Sequence, residues 1–113
     1  MRKFDSGATR DKDDTKIDPE GFISPVVVKL FSEYMTRHRV QADGELRDSD
    51  NWQKGIPGSA YMKSLARHFL DAWLMHRGFE PKTPGATWMD SLCGVMFNAM
   101  GLMFETAKGR ITL

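Results

Sequence analysis

From Ser59 to Arg77 the chain reads SAYMKSLARHFLDAWLMHR, and its apolar residues recur at helical spacing around most of the circumference. Tyr61, Met62, Leu65, Phe69, Trp73 and His76 form one broad stripe, and Ala66, Leu70 and Leu74 widen it. A helix with so wide an apolar surface has to be enclosed by other elements. The spacing therefore predicts a mostly buried helix, lying between two neighbours or in a subunit interface. Ser59 is the expected cap and Gly78 the expected left-handed stop. One polar line interrupts the stripe. Lys63, Arg67 and Asp71 follow at i, i+4 and i+8, and His68 stands three residues before Asp71, within reach of a carboxylate contact. That line reads either as a solvated ion-pair stripe with one hydrogen-bonded histidine, or as the chemically active edge of the helix.

Two further helices are expected beside it. Ser24-Pro25 has the form of a cap followed by proline at the first helical position. Val26, Val27, Leu30, Phe31, Tyr34, Met35 and His38 then keep helical spacing, with Lys29, Glu33 and Arg37 opposite. Glu33 precedes Arg37 by four residues, which suits an exposed ion pair first and a metal ligand second. Thr87 with Asp90 suggests a capping box for a last helix over Trp88 to Lys108, stopped by Gly109. There Leu92, Cys93, Met96, Phe97, Met100, Met103, Phe104 and Ala107 carry the expected core period, which makes Cys93 a packing residue before a nucleophile. Gly94, Asn98, Gly101 and Glu105 define another seam. Glycine inside a helix costs about 0.8–1.0 kcal/mol relative to alanine, so two on one seam point to close approach of a helix or a ligand. Asn98 between them is a candidate polar contact.

The connections are polar. Residues 39–58 form a long segment with turn signals at Asp43-Gly44 and Pro57-Gly58, anchored by Trp52 and Ile56. Structureless segments of that length are often functional. Asp48 and Asp50 within it form an Asp-x-Asp pair, a weak signal for a hard cation and an equally ordinary turn composition. Residues 79–86 are a second loop. Residues 1–20 carry charges of both signs without periodicity. They read as a polar arm preceding a single helical domain at 21–113, or as an arm that orders over a site, where Arg10 and Lys16 would reach a phosphate.

The expected architecture is thus all-α: three main helices, a long polar N-terminal arm and a packed loop, with faces broad enough to favour a homodimer or higher homo-oligomer that completes a bundle. A length of 113 residues suits one domain, and 16 basic against 15 acidic side chains gives no bulk attraction to a nucleic-acid polymer or an anionic membrane. No apolar run is long enough to span a bilayer, and no apolar segment of signal-peptide type follows the first residues. A single cysteine excludes an intrachain disulfide and fits a reducing, cytoplasmic setting. No phosphate-binding glycine loop, dinucleotide fingerprint, zinc set or nucleophile elbow is present.

Three blocks carry a resemblance: DSGATRD at Asp5–Asp11 with GFISP at Gly21–Pro25; RDSDNWQKGIP at Arg47–Pro57 running on to RHFLDAWLMHRG at Arg67–Gly78; and LCGVMFNAMGLMFE at Leu92–Glu105. Together they make the chain similar to the bacteriophage dATP/dGTP diphosphohydrolase family, all-α relatives of the MazG-like pyrophosphohydrolases. The resemblance spans nearly the whole chain and is most specific in the Asn-Trp-x-x-Gly turn followed by the Arg-His helix. It implies magnesium-assisted hydrolysis of a purine (deoxy)nucleoside triphosphate to a monophosphate and pyrophosphate, in the cytoplasm of an infected bacterium. On that reading Asp71, Asp90 and Glu33 would ligate magnesium, and His68 would orient water or phosphate. Arg67 and Lys54 would contact phosphate, Asn98 would touch base or sugar, and Trp52 or Trp73 would stack on the purine. MazG-like enzymes draw their acids from Glu-x-x-Glu and Glu-x-x-Asp pairs on facing helices. The helices expected here carry single acids: Glu33, Asp71, Asp90 and Glu105. Alternatives from other classes are a non-catalytic relative that binds or sequesters a nucleotide or nucleotide signal, and a helical protein-interaction module.

Overall fold

A computed structural model describes residues 2–10 and 15–113. Part of the predicted arm, at positions 1 and 11–14, therefore lies outside the described residues, including Asp11 of the first resemblance block. The rest of the arm is not without structure. Strands β1 (Arg2–Lys3) and β2 (Thr9–Arg10) pair antiparallel, with Arg2 opposite Arg10 and Lys3 opposite Thr9. The turn between them is closed by Phe4 and Gly7, whose φ of 91° only glycine adopts readily. Two-residue strands leave too little sequence to show a period of two, which is why no strand pattern is visible there.

A single-turn helix α1 (Pro19–Phe22) follows, capped by Asp18, whose carboxylate accepts the Gly21 amide at 3.0 Å. Helix α2 (Pro25–Arg37) starts as its sequence predicts: the Ser24 hydroxyl accepts the Val27 amide at 3.3 Å and proline fills the first helical position. Residues 51–54 form one 3-10 turn, and helix α3 (Gly58–His76) follows it directly. Pro57, not Ser59, is the residue at the cap, and no side chain bonds there. Gly78 ends α3 with φ at 84°, as expected. Helix α4 (Trp88–Ala107) is capped by Thr87, whose hydroxyl accepts the Asp90 amide at 3.1 Å. Only half of the capping box forms, because the Asp90 carboxylate turns away to Arg37 at 2.8 Å. That contact also replaces the expected Glu33–Arg37 pair.

Helices α3 and α4 make an antiparallel hairpin, and the seam between them is the expected glycine line of Gly94, Asn98, Gly101 and Glu105, not the apolar period of α4. Its buried positions on α4 are Ser91, Gly94, Asn98, Gly101 and Glu105, spaced 3, 4, 3 and 4 residues apart. Facing them are Tyr61, Ser64 and His68 on α3. This is coiled-coil spacing filled with small and polar side chains. The glycines do what glycine alone can do here. A Cβ on Gly101 would lie 2.2 Å from the Tyr61 ring, and one on Gly94 would lie 2.5 Å from the His68 ring. The two rings nest against bare backbone, which draws the helices together. Between them Asn98 donates to the Gly94 carbonyl at 2.7 Å and to the Ser64 hydroxyl at 3.2 Å.

The predicted apolar stripes are consequently enclosed only in part: Tyr61 and Cys93 are buried, while other members face outward. Met62, Phe69 and Trp73 on α3, and Met96 and Met103 on α4, are all exposed, Met103 by 71 %. Asp71, expected on a solvated polar line, is instead only 3 % exposed. The 3-10 turn packs on the other side of α4, where Trp52 meets Phe104 and Phe97 edge-on at ring distances of 4.9 and 6.2 Å. Buried Glu105 ties that turn to the C-terminal residues: it accepts the Ile56 amide at 3.1 Å and pairs with Arg110.

Candidate functional site

Two adjoining depressions lie where α2 and the 39–50 connection meet the helical hairpin. The larger is a groove of about 370 Å³. Phe31, Met35, Trp52, Phe97 and Met100 form its apolar floor, and Arg39, Arg47, Asp48, Ser49 and Asn51 supply polar groups at its edge. That volume and that mix suit a small organic ligand with one flat apolar part and one anionic part. The loop that carries the arginines is shaped by its own bonds. Val40 pairs with Leu46, Arg39 donates from Nε to the Arg47 carbonyl at 2.8 Å, and Arg47 donates to the His38 carbonyl at 3.3 Å. Each guanidinium keeps further N–H groups beyond these bonds, and an anion fits such planar donors well.

The smaller cleft, about 170 Å³, is lined by Tyr34, His38, His68, Asp71, Asp90 and the 83–86 segment. It brings together three residues singled out in the sequence, His68, Asp71 and Asp90. His38 borders both depressions. The His38 ring is held by a 2.8 Å contact between Nδ1 and the Tyr34 carbonyl.

The chemistry available in the cleft is set by what already engages these groups. Asp71 Oδ1 accepts the Lys82 amide at 2.8 Å and the Thr83 amide at 3.2 Å. The Thr83 hydroxyl and amide, with the Lys82 amide, hold the carboxyl below the usual aspartate range against the opposing effect of burial. Asp71 thus acts as the clamp of the 79–86 loop. Asp90 is paired with Arg37 across an exposed surface. Burial lowers the His68 imidazole below its ordinary value, and the nearby Asp71 charge only partly offsets this. His68 is therefore neutral at physiological pH, suited to accepting or donating one hydrogen bond and poorly suited to holding a phosphate by charge.

The other sequence candidates are dispersed. Glu33, Lys54 and Arg67 are exposed and border neither depression, and Trp73 lies outside both as well. Asn98 is buried in the helix seam with its amide nitrogen committed to Ser64 and Gly94. Trp52 is the one candidate ligand contact that lies in the groove. Arg39 and Arg47 are the groove residues that sequence reading did not single out. The unusual length of the 39–58 connection pointed toward them, and Arg47 also heads the second resemblance block.

Magnesium needs hard oxygen donors left free to face it. Among the described residues no group of three or more His, Cys, Asp or Glu side chains is arranged to hold a metal ion. With Asp71 committed to backbone amides and Asp90 to a guanidinium, the donor set does not fit a dedicated magnesium site.

No helix among the described residues is long and apolar enough to cross a membrane. No family model matches the chain, and no match to it is found among curated proteins or solved structures.

Proposed function

We propose that the protein is a nucleotide-binding protein of the non-catalytic kind. The base would lie on the Trp52–Phe97 floor of the groove, and the phosphates would be met by Arg39 and Arg47. The observation that carries this reading is the groove itself: an apolar floor of aromatic and methionine side chains closed at one edge by two arginines. Flat apolar bases favour such floors, and planar guanidinium donors match phosphate oxygens bidentately. The resemblance of the sequence to purine deoxynucleoside triphosphate diphosphohydrolases points to the same ligand class. The committed carboxylates favour binding or sequestration over cleavage.

A second reading, hydrolysis to monophosphate and pyrophosphate, has one observation in its favour. His68, Asp71 and Asp90 share a cleft that has His38 in common with the groove. The test is a panel of ribo- and deoxynucleoside triphosphates, followed by calorimetry for binding and by pyrophosphate release with and without magnesium. Saturable purine nucleotide binding without pyrophosphate release is the expected result. Magnesium-dependent release would move the conclusion to the enzyme reading, and the absence of any binding would remove both.

A further inference from the structure

The 3-10 turn at residues 51–54 and the residues just after it give the groove Trp52 and Ile56. One turn of this kind does not support itself. It has no side-chain cap, and it is closed by the Gln53 amide on the Asp50 carbonyl at 2.9 Å and the Gly55 amide on the Trp52 carbonyl at 3.3 Å. Hydrogen bonds of 3-10 geometry are poorly aligned, and a single turn of them frays readily. Groups outside the turn therefore have to hold Trp52 and Ile56 in place.

Those groups come from just beyond α4. Gly109, with φ at 73°, makes a left-handed stop in which its own amide donates to the Thr106 carbonyl at 3.0 Å and the Arg110 amide to the Glu105 carbonyl at 2.9 Å. The stop turns the chain back over residues 53–58. Ile111 then lies against Gly58, where a Cβ would stand 2.9 Å from its Cδ1. The Arg110 guanidinium reaches two groups at once. It forks onto both carboxylate oxygens of Glu105, a residue 1 % exposed, and donates to the Gln53 carbonyl at 3.2 Å. Glu105 Oε1 in turn accepts the Ile56 amide at 3.1 Å. The Phe104 ring, 4.9 Å from that of Trp52, has the same guanidinium 5.6 Å from its centre. Forked, charge-assisted bonds to a carboxylate are strong and fix geometry. The segment is thus pinned at Gln53, next to Trp52, and at Ile56 itself, by side chains that do not line the groove.

We propose that Arg110 is a positioning residue for the groove: through Glu105 and the Gln53 carbonyl it fixes the Trp52 and Ile56 part of the floor, so that affinity depends on a side chain the ligand does not touch. A floor already ordered spares the ligand the cost of ordering it. That the ligand is a nucleotide rests on the reading above; that Arg110 holds the floor does not.

The test uses the full chain carrying Trp73→Phe and Trp88→Phe, both exposed and outside the groove, so that fluorescence reports Trp52 alone. Arg110→Ala should raise acrylamide quenching of Trp52 without any ligand. It should also weaken binding of purine nucleoside triphosphates by about tenfold in calorimetry, the loss of one charge-assisted anchor. Arg110→Lys keeps a charge beside Glu105 but not the fork, and should recover part of both effects. Lys108→Ala removes a cation that stands 5.5 Å from the same Phe104 ring but is not bonded to the turn, and should change neither. Should Arg110→Ala strand the Glu105 charge and fail to fold, Glu105→Met with Arg110→Met removes both charges together and should free Trp52 in a folded chain. Unchanged quenching in whichever of these variants folds overturns the proposal. So does a freed Trp52 with affinity intact, or an equal loss in Lys108→Ala. No nucleotide binding by the unaltered chain would remove the nucleotide reading instead, and the quenching series would still decide whether Arg110 holds the floor.

Discussion

The His68 imidazole occupies the space that a side chain on Gly94 would need, its nearest ring atoms 2.5 to 2.7 Å from where a Cβ would stand. One heptad along each helix the Tyr61 ring does the same to Gly101 at 2.2 Å. Alanine at either glycine would gain about 1 kcal/mol of helix propensity, but it would drive a ring out of its seat. Overpacking of that kind costs about 1–3 kcal/mol. The two sites should differ. Tyr61 is 1 % exposed and has no room to move, whereas His68 borders an open cleft. Gly101→Ala should therefore destabilise clearly and Gly94→Ala much less, as read from urea unfolding midpoints. Equal midpoints for the two variants would show that the rings do not set the helix separation.

The helical elements were legible in the sequence because their caps and stops are local chemistry. Ser24-Pro25, Thr87 and the glycines at 78 and 109 mark helix ends to within a residue. The inner seam was not legible by the same means. Hydrophobic periodicity asks which face is greasiest, and in α4 the greasiest face is not the one that meets α3. The close approach was signalled only by two glycines seven residues apart, whose partners depend on the register of another helix. Asp71 illustrates the same limit. On a helical wheel it continues the line of Lys63 and Arg67, and only the path of a loop eleven residues later draws it inside. At the site, Trp52 stood out as an anchor. Arg39 and Arg47 did not, because surface arginines carry no positional signature until a loop folds them to one rim.

Asp71→Ala should cost about 1–3 kcal/mol, because the Lys82 and Thr83 amides would lose a charged acceptor while the loop stays packed. The 79–86 loop should loosen first, seen as faster amide exchange at Lys82 and Thr83 than at neighbouring helical positions. Asp71→Asn keeps an acceptor oxygen and should retain most of the loop order. Exchange at Lys82 and Thr83 left unchanged by Asp71→Ala would show that the carboxylate does not hold the loop.

Nucleotide affinity should follow the groove rim. Arg39→Ala and Arg47→Ala should each weaken binding by about tenfold, the loss of one charge-assisted contact to phosphate. Arg67→Ala, on an exposed face outside the groove, should leave affinity unchanged. Trp52 fluorescence reports on both: quenching by nucleotide in the unaltered chain and in the Arg67 variant, and little at the same concentration in the rim variants. A large effect of Arg67→Ala would place the phosphates along α3 instead.

Cys93 is buried in α4, and burial raises its thiol above the ordinary range, with the Asp90 charge acting in the same direction. Such a thiol is a poor nucleophile. Alkylation of the native protein should be slow and should accelerate with denaturant along the unfolding curve. Rapid modification of the native state, with helical structure retained, would mean that the cleft side of α4 opens readily.

Acid should weaken the fold in two stages, and the sign follows from the direction of each shift. His68, Asp71 and Glu105 all hold their protons less tightly in the folded state than in the unfolded chain. The unfolded state thus binds more protons on acidification, and stability falls as pH falls. Burial is the main cause for His68, so its contribution is complete above the unfolded value of 6.5 and erodes below it. The carboxylates act later. Thr83 and Lys82 hold down Asp71, and Arg110 with the Ile56 amide holds down Glu105, so these losses begin below their unfolded values of 3.8 and 4.5. Thermal midpoints measured from neutral pH downward should show a shallow decline beginning near 6.5 and a steeper one in the carboxylate range. His68→Gln should remove the first decline and leave the second, and Asp71→Asn should blunt the second alone. A midpoint that stays level until the carboxylate range in the unaltered chain would place His68 in contact with solvent and not seated against Gly94.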